Sequence, residues 1–155
     1  MTDSHRNETA YCGLYCKDCI PSNEKLFTLV NELDQLLEEL NFEKYAAVKS
    51  KRSSIFDKYD DFKSVLMEIK KIECKKGCFR GPESLLGCSK NCQIRECVIE
   101  KHLNGCWECE EYGKCSKLEK HKTFHPGLEN NLDMIKEFGI DNWIDKRGIH
   151  YHWNK

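Results

Sequence analysis

Eleven cysteines carry most of the chemistry available to this chain. They fall into short-range groups: Cys12-x3-Cys16-x2-Cys19, then Cys74-x3-Cys78, Cys88-x3-Cys92-x4-Cys97 and Cys106-x2-Cys109-x5-Cys115. The shorter of these spacings let one turn of backbone present two sulfurs to the same ion, which a tetrahedral thiolate site requires. The eight cysteines from Cys74 onward divide most simply into two four-sulfur sites. One is Cys74, Cys78, Cys88 and Cys92; the other is Cys97, Cys106, Cys109 and Cys115. Exchange of Cys88 or Cys97 between them fits the spacing as well. Zn²⁺ is the expected ion, with an iron–sulfur cluster as the alternative, because thiolate sets hold either. The ferredoxin run C-x2-C-x2-C-x3-C-P is absent and the surrounding sequence is rich in Lys, Arg and Glu, which favours zinc.

The first group offers three sulfurs, Cys12, Cys16 and Cys19, and needs a fourth ligand from afar. His102, His121 and His125 are the candidates, with His125 favoured because Pro126 follows it at an expected helix start. Three protein ligands with an open fourth position would instead be a catalytic geometry, the one enzyme-like feature of the chain. C-x3-C-x2-C is also the spacing by which radical S-adenosylmethionine enzymes hold a cluster. The chain is short and lacks the βα repeats of their barrel, which argues against that class. Cys16-x2-Cys19 and Cys106-x2-Cys109 lie outside any βαβ context, which argues against thioredoxin-like exchange.

Helices must position these groups. Pro21-Ser22-Asn23-Glu24 supplies a helix start, and Leu26, Leu29, Val30, Leu33, Leu36, Leu37 and Leu40 recur at three- and four-residue steps behind it. Asn41-Phe42 closes that helix. A second pattern runs through Phe56, Tyr59, Phe62, Leu66, Ile69 and Ile72, after a polar connection in which Ser53 or Ser54 caps. Both stripes read as core faces. From Cys74 to Cys115 large apolar residues are few (Phe79, Leu85, Leu86, Ile94, Val98, Ile99, Leu103, Trp107, Tyr112), with one short helix expected from Ile94 to Leu103 and turns elsewhere. Gly77, Gly87 and Gly105 precede cysteines and permit tight turns there. A third helical region carries Leu128, Leu132, Ile135 and Phe138 and stops at Gly139; Asp141 to Lys146 adds a turn with Trp143 and Ile144. The tail, with His150, His152 and Trp153, either docks through Trp153 or frays.

The fold expectation is therefore mainly α: a helical hairpin over 20–73, a cysteine-rich metal-stabilised loop module over 74–117, and C-terminal helices over 126–147, in one 155-residue domain. Mean hydropathy is −0.70, so the apolar supply is modest and metal would supplement it. The 25 basic and 26 acidic residues nearly cancel, leaving no field to recruit nucleic acid or anionic membrane. Between Cys74 and Lys117 eight Lys/Arg face six Glu, a surplus of two that offsets half the −4 left by two Zn²⁺ on eight thiolates. No apolar run could span a bilayer and no signal-like segment opens the chain, so a cytoplasmic address is expected. There thiols stay reduced, and an odd count cannot pair fully.

Ala10-Tyr11-Cys12-Gly13-Leu14-Tyr15-Cys16-x2-Cys19, with Cys92-Gln93-Ile94-Arg95-x-Cys97 and Cys106-x2-Cys109, resembles an uncharacterised cysteine-rich family of bacteria and archaea. It is the domain-of-unknown-function family numbered thirty-seven ninety-five. The resemblance extends to a helical insert after the first cysteines, and to His125, Leu132 to Gly139 and Trp143 near the end. It implies a small cytoplasmic metal-binding fold without an assigned activity. The functional expectation is a zinc-binding scaffold or binding module, its partner an unidentified protein or small molecule. An iron–sulfur redox protein, or a metalloenzyme working at Cys12, Cys16 and Cys19, is the alternative.

Overall fold

Asn23 begins the longest helix. Its side chain accepts the Leu26 N–H at 2.9 Å, satisfying a donor the helix cannot, and α2 then runs over Glu24–Glu39. The computed structural model describes residues 4–78, 88, 91–148 and 151–153. Among these are seven α-helices: α1 Ser4–Glu8, α2, α3 Phe42–Lys49, α4 Tyr59–Lys71, α5 Gln93–Glu100, α6 Ser116–Lys122 and α7 Leu128–Phe138. Short 3₁₀ turns sit between them, and the one β-feature among the described residues is an isolated antiparallel bridge between Thr9 and Tyr15. The protein is mainly helical, as its periodicities predict. Phe79, Leu85, Leu86 and Gly87 fall outside the described residues, as does His150.

α2 and α4 form the expected hairpin around Val30, Leu37 and Leu66, with Leu26, Phe42 and Ile69 packed beside them. A hairpin must return to where it left. The Cys74 N–H donates to the Pro21 carbonyl at 2.7 Å, so its two ends meet. One correction concerns the connection. Residues 42–49 form α3 instead of merely closing α2, because Asn41 takes a left-handed backbone (φ 49°) that turns the chain sharply enough to start a new helix. Only Ala46 of α3 is buried, so the sequence carries little amphipathic signal there. Ser53 has the extended backbone of an N-cap but makes no side-chain cap bond, and a 3₁₀ turn, Ser54–Lys58, precedes α4.

On one edge of the hairpin the buried Asp34 carboxylate accepts from the ammonium groups of both Lys63 and Lys70. Their hydrogen bonds hold the Asp34 carboxyl below its ordinary value of 3.8. A depressed carboxyl stabilises the fold fully above its unfolded pKa, and that stability drains away as pH falls through the folded value. Urea denaturation stepped downward from pH 5 is expected to show this acid limb in the wild type. Asp34→Asn should flatten it; an unchanged limb would remove Asp34 from the account.

The second and larger core belongs to the cysteine module. Leu14, Tyr15, Ile94, Val98, Trp107, Leu118, Leu128, Leu132, Ile135 and Trp143 pack together, joined by Cys106. α5 ends where His102 adopts φ 54°, shortening the expected Ile94–Leu103 helix. α7 stops at Gly139 (φ 79°), whose N–H caps onto Ile135 at 2.9 Å. α6, a stretch to which the sequence assigns no element, is a helix that anchors by one fully buried residue, Leu118.

Candidate metal centre

Three 3₁₀ turns lay out the sulfurs. Cys16–Asp18 and Cys106–Glu108 each fold so that the cysteine three residues on returns its N–H to the first carbonyl: Cys19 to Cys16 and Cys109 to Cys106, both at 3.0 Å. Tyr112–Lys114 repeats this and delivers Cys115 at the head of α6. Cys92 heads α5, and Cys97 lies within it. Helix N-termini and tight turns aim backbone N–H groups, which is what a thiolate needs around it. Gly105 serves a further purpose. Its backbone is extended, and a Cβ there would lie 2.1–2.4 Å from the Trp107 ring, so glycine lets that buried indole close over the turn.

Cys97, Cys106, Cys109 and Cys115, the later of the two four-sulfur sets, line one cavity of about 680 Å³ between α5 and α6. Cys106 is buried; burial, with Cys115, Cys109 and Cys97 around it, pushes its thiol up to about 12. The Lys117 ammonium reaches Cys97 and is raised by that contact.

The other set has further thiols beside it. Cys74 and Cys78 stand with the first group. Burial raises the Cys16 thiol to about 12, and its thiol neighbours are Cys78, Cys19 and Cys74. Cys88, solvent-exposed itself, has Cys78, Cys19, Cys16 and Cys74 as electrostatic neighbours. Cys12 lies between the two assemblies, with Cys78, Cys88 and Cys106 around it, and burial raises it well above an ordinary thiol. Cys92 approaches Cys78 from the α5 side. The cause is the closed hairpin: its return brings Cys74 and Cys78 back beside the Cys16–Cys19 turn.

Backbone N–H groups point at these sulfurs: Leu14 at Cys12, Cys78 at Cys16, and Tyr11 at Cys78. The Tyr11 carbonyl accepts the Cys106 N–H at 2.8 Å, so Tyr11 ties the two assemblies together. Three side chains that sequence reasoning passed over also reach sulfur. Arg95 donates to Cys78, Lys117 meets Cys97, and the Tyr151 hydroxyl donates to Cys19. In the sequence Arg95 and Lys117 contribute only to the surplus of positive charge between Cys74 and Lys117. Tyr151 gave no signal, since the tail was read through Trp153; it is Tyr151 that is buried, at 2% exposure, with Trp153 stacked on it at 4.7 Å and half-exposed. His125 packs edge-on to Tyr151 at 4.5 Å and near-parallel to His121, inside an aromatic cluster. Asp18, in the Cys16 turn, is gripped by Arg147 through two bonds, at 2.7 and 3.0 Å.

The donor chemistry suits a soft divalent ion or an iron–sulfur centre: clustered thiols, N–H groups aimed at them, and two cations nearby. Burial raises these thiols, so deprotonating several together calls for positive charge brought among them. Among the described residues no three His, Cys, Asp or Glu side chains form a ready-made coordination group. The sulfurs are neighbours that have not converged on a common point. Nor is any described helix long and apolar enough to cross a membrane.

A helical cysteine-rich domain with clustered thiols defines the class. More particularly, a family model described as "Protein of unknown function (DUF3795)" matches residues 8–120, and the chain belongs to that family. The matched region takes in both cysteine assemblies and the hairpin, while His125, α7 and Trp143 lie beyond it. No curated protein and no solved structure matches the chain.

Proposed function

We propose that this is a cytoplasmic zinc-binding scaffold whose thiolates hold the cysteine module in shape. The observation that carries the reading is the convergence of Cys97, Cys106, Cys109 and Cys115 on one cavity, from two 3₁₀ turns and two helices. For the N-terminal assembly the proposed ligands are Cys16, Cys19, Cys74 and Cys88, with Cys78, Cys12 and Cys92 adjoining. His125 then supports Tyr151, whose hydroxyl donates to Cys19, instead of binding metal itself.

One observation favours a second reading for that assembly. Its donors are sulfur alone, with backbone N–H groups aimed at Cys12, Cys16 and Cys78, and four such cysteines hold an iron–sulfur cluster as well as a zinc ion. Elemental analysis of anaerobically purified protein separates the readings. Colourless protein with about two zinc per chain is expected under the scaffold reading. Brown protein with iron and sulfide assigns the first assembly to a cluster, and metal-free folded protein defeats both.

A further inference from the structure

The helical hairpin carries a second apolar face that nothing among the described residues buries. Along α2, Leu26, Leu29, Leu33, Leu36 and Leu40 repeat at steps of three, four, three and four, the heptad pattern of a coiled-coil seam. It is not the hairpin's own seam. The residues of α2 that are buried are Phe27, Val30, Asp34 and Leu37. Leu29, Leu33, Leu36 and Leu40 stay 41–62% exposed. α4 and its C-cap repeat the pattern with Phe62, Val65, Ile69 and Ile72, of which Phe62 and Val65 are 43% and 59% exposed.

Helical geometry puts both stripes on one side. At about 100° per residue, Val30 and Leu37 set the direction from α2 toward α4. The leucines fall to one side of that line, Phe27 and Asp34 to the other. On α4 Leu66 points back at α2; Lys63 and Lys70 lie on the edge where both meet Asp34, and Phe62, Val65, Ile69 and Ile72 lie opposite. The ion triad therefore marks the polar edge, and the two stripes share the other. Leu26 and Ile69, both packed on the hairpin core, are where the stripes join.

We propose that this face pairs with the same face of a second copy, closing two hairpins into a four-helix bundle. Three features select that occupant. The heptad spacing is the one that lets helices interdigitate with other helices. A face two helices wide and about 24 Å long, with side-chain relief, approaches the roughly 800 Å² per partner of a stable interface. And α2 holds Glu24, Glu32, Asp34, Glu38 and Glu39 against Lys25 alone, the wrong sign for an anionic membrane surface. The pairing would also extend a hairpin whose core cluster among the described residues is the small one of Val30, Leu37 and Leu66. It is independent of what the thiols bind.

Sedimentation velocity on the full-length chain as purified tests it. The wild type is expected at twice the 18.2 kDa monomer mass, dissociating on dilution. Leu36→Ala, half-exposed in the monomer and so harmless there, should weaken the dimer roughly tenfold or more. Leu33→Glu should leave a monomer with unchanged helix content, and Thr28→Lys on the solvent side should change nothing. Should Leu33→Glu fail to fold, the Leu36→Ala dilution series and the concentration dependence of α2 and α4 amide exchange decide. A wild type that stays monomeric throughout overturns the proposal, as does a dimer indifferent to Leu36→Ala. A monomer that instead binds vesicles of neutral phosphatidylcholine assigns the face to lipid and overturns it too.

Discussion

Stripping metal with a strong chelator under reducing conditions is expected to unfold the cysteine module while leaving the α2–α4 hairpin helical. Structural zinc sites contribute about 10–16 kcal/mol apparent in small peptides, and a whole domain is stable by only about 5–15 kcal/mol. Losing one such site would remove an amount comparable to the whole stability of a domain. In the proposed site, Cys97, Cys106, Cys109 and Cys115 would brace α5 against α6 across the cavity that those four sulfurs line. Amide exchange should therefore rise first across α5, α6 and the Cys106 turn. The hairpin has its own core and its own ion triad and should report a separate, later loss. Cys109→Ser should reproduce the effect without chelator. Retained protection across α5 and α6 in fully metal-free protein would falsify the idea that thiolates hold this region together.

What the sequence made legible follows from which signals are local. α2, α4 and α7 each carry a full amphipathic repeat, and Asn23 and Gly139 mark two of their ends, so periodicity sufficed. α3 and α6 bury one residue each, Ala46 and Leu118, and so leave no period to read. The sulfur sets divide the same way. Cys106-x2-Cys109-x5-Cys115 closes through consecutive turns, and short spacing brought its members to one cavity. Cys16 and Cys19 meet Cys74, Cys78 and Cys88 across more than fifty residues, a proximity created only when the hairpin returns and Cys74 bonds to Pro21. That closure could have been argued beforehand. Two antiparallel helices of similar length must end near where they began, and cysteines flank both ends.

Trp143→Ala is expected to be the most damaging single substitution outside the cysteines, at about 3–5 kcal/mol. Trp143 is fully buried, packs edge-on against Tyr15 with ring centroids 6.1 Å apart, and donates its indole N–H to the Thr9 hydroxyl at 3.2 Å. Thr9, itself without solvent exposure, donates its hydroxyl hydrogen bond to the His5 carbonyl at 2.8 Å. The indole thus fastens the C-terminal turn to the bridge between Thr9 and Tyr15, and that bridge frames the Cys12 loop. Removing the ring opens a large cavity and leaves the buried Thr9 hydroxyl one partner short. The two contributions separate experimentally. Trp143→Phe keeps most of the packing and loses the N–H, and should cost about 1–2 kcal/mol. Thr9→Val removes the acceptor, and the pair combined should cost less than the sum, because each deletes the same bond. Urea denaturation followed by circular dichroism measures all four proteins. Strict additivity would mean the indole N–H and Thr9 do not depend on each other, and Trp143 would then act through packing alone.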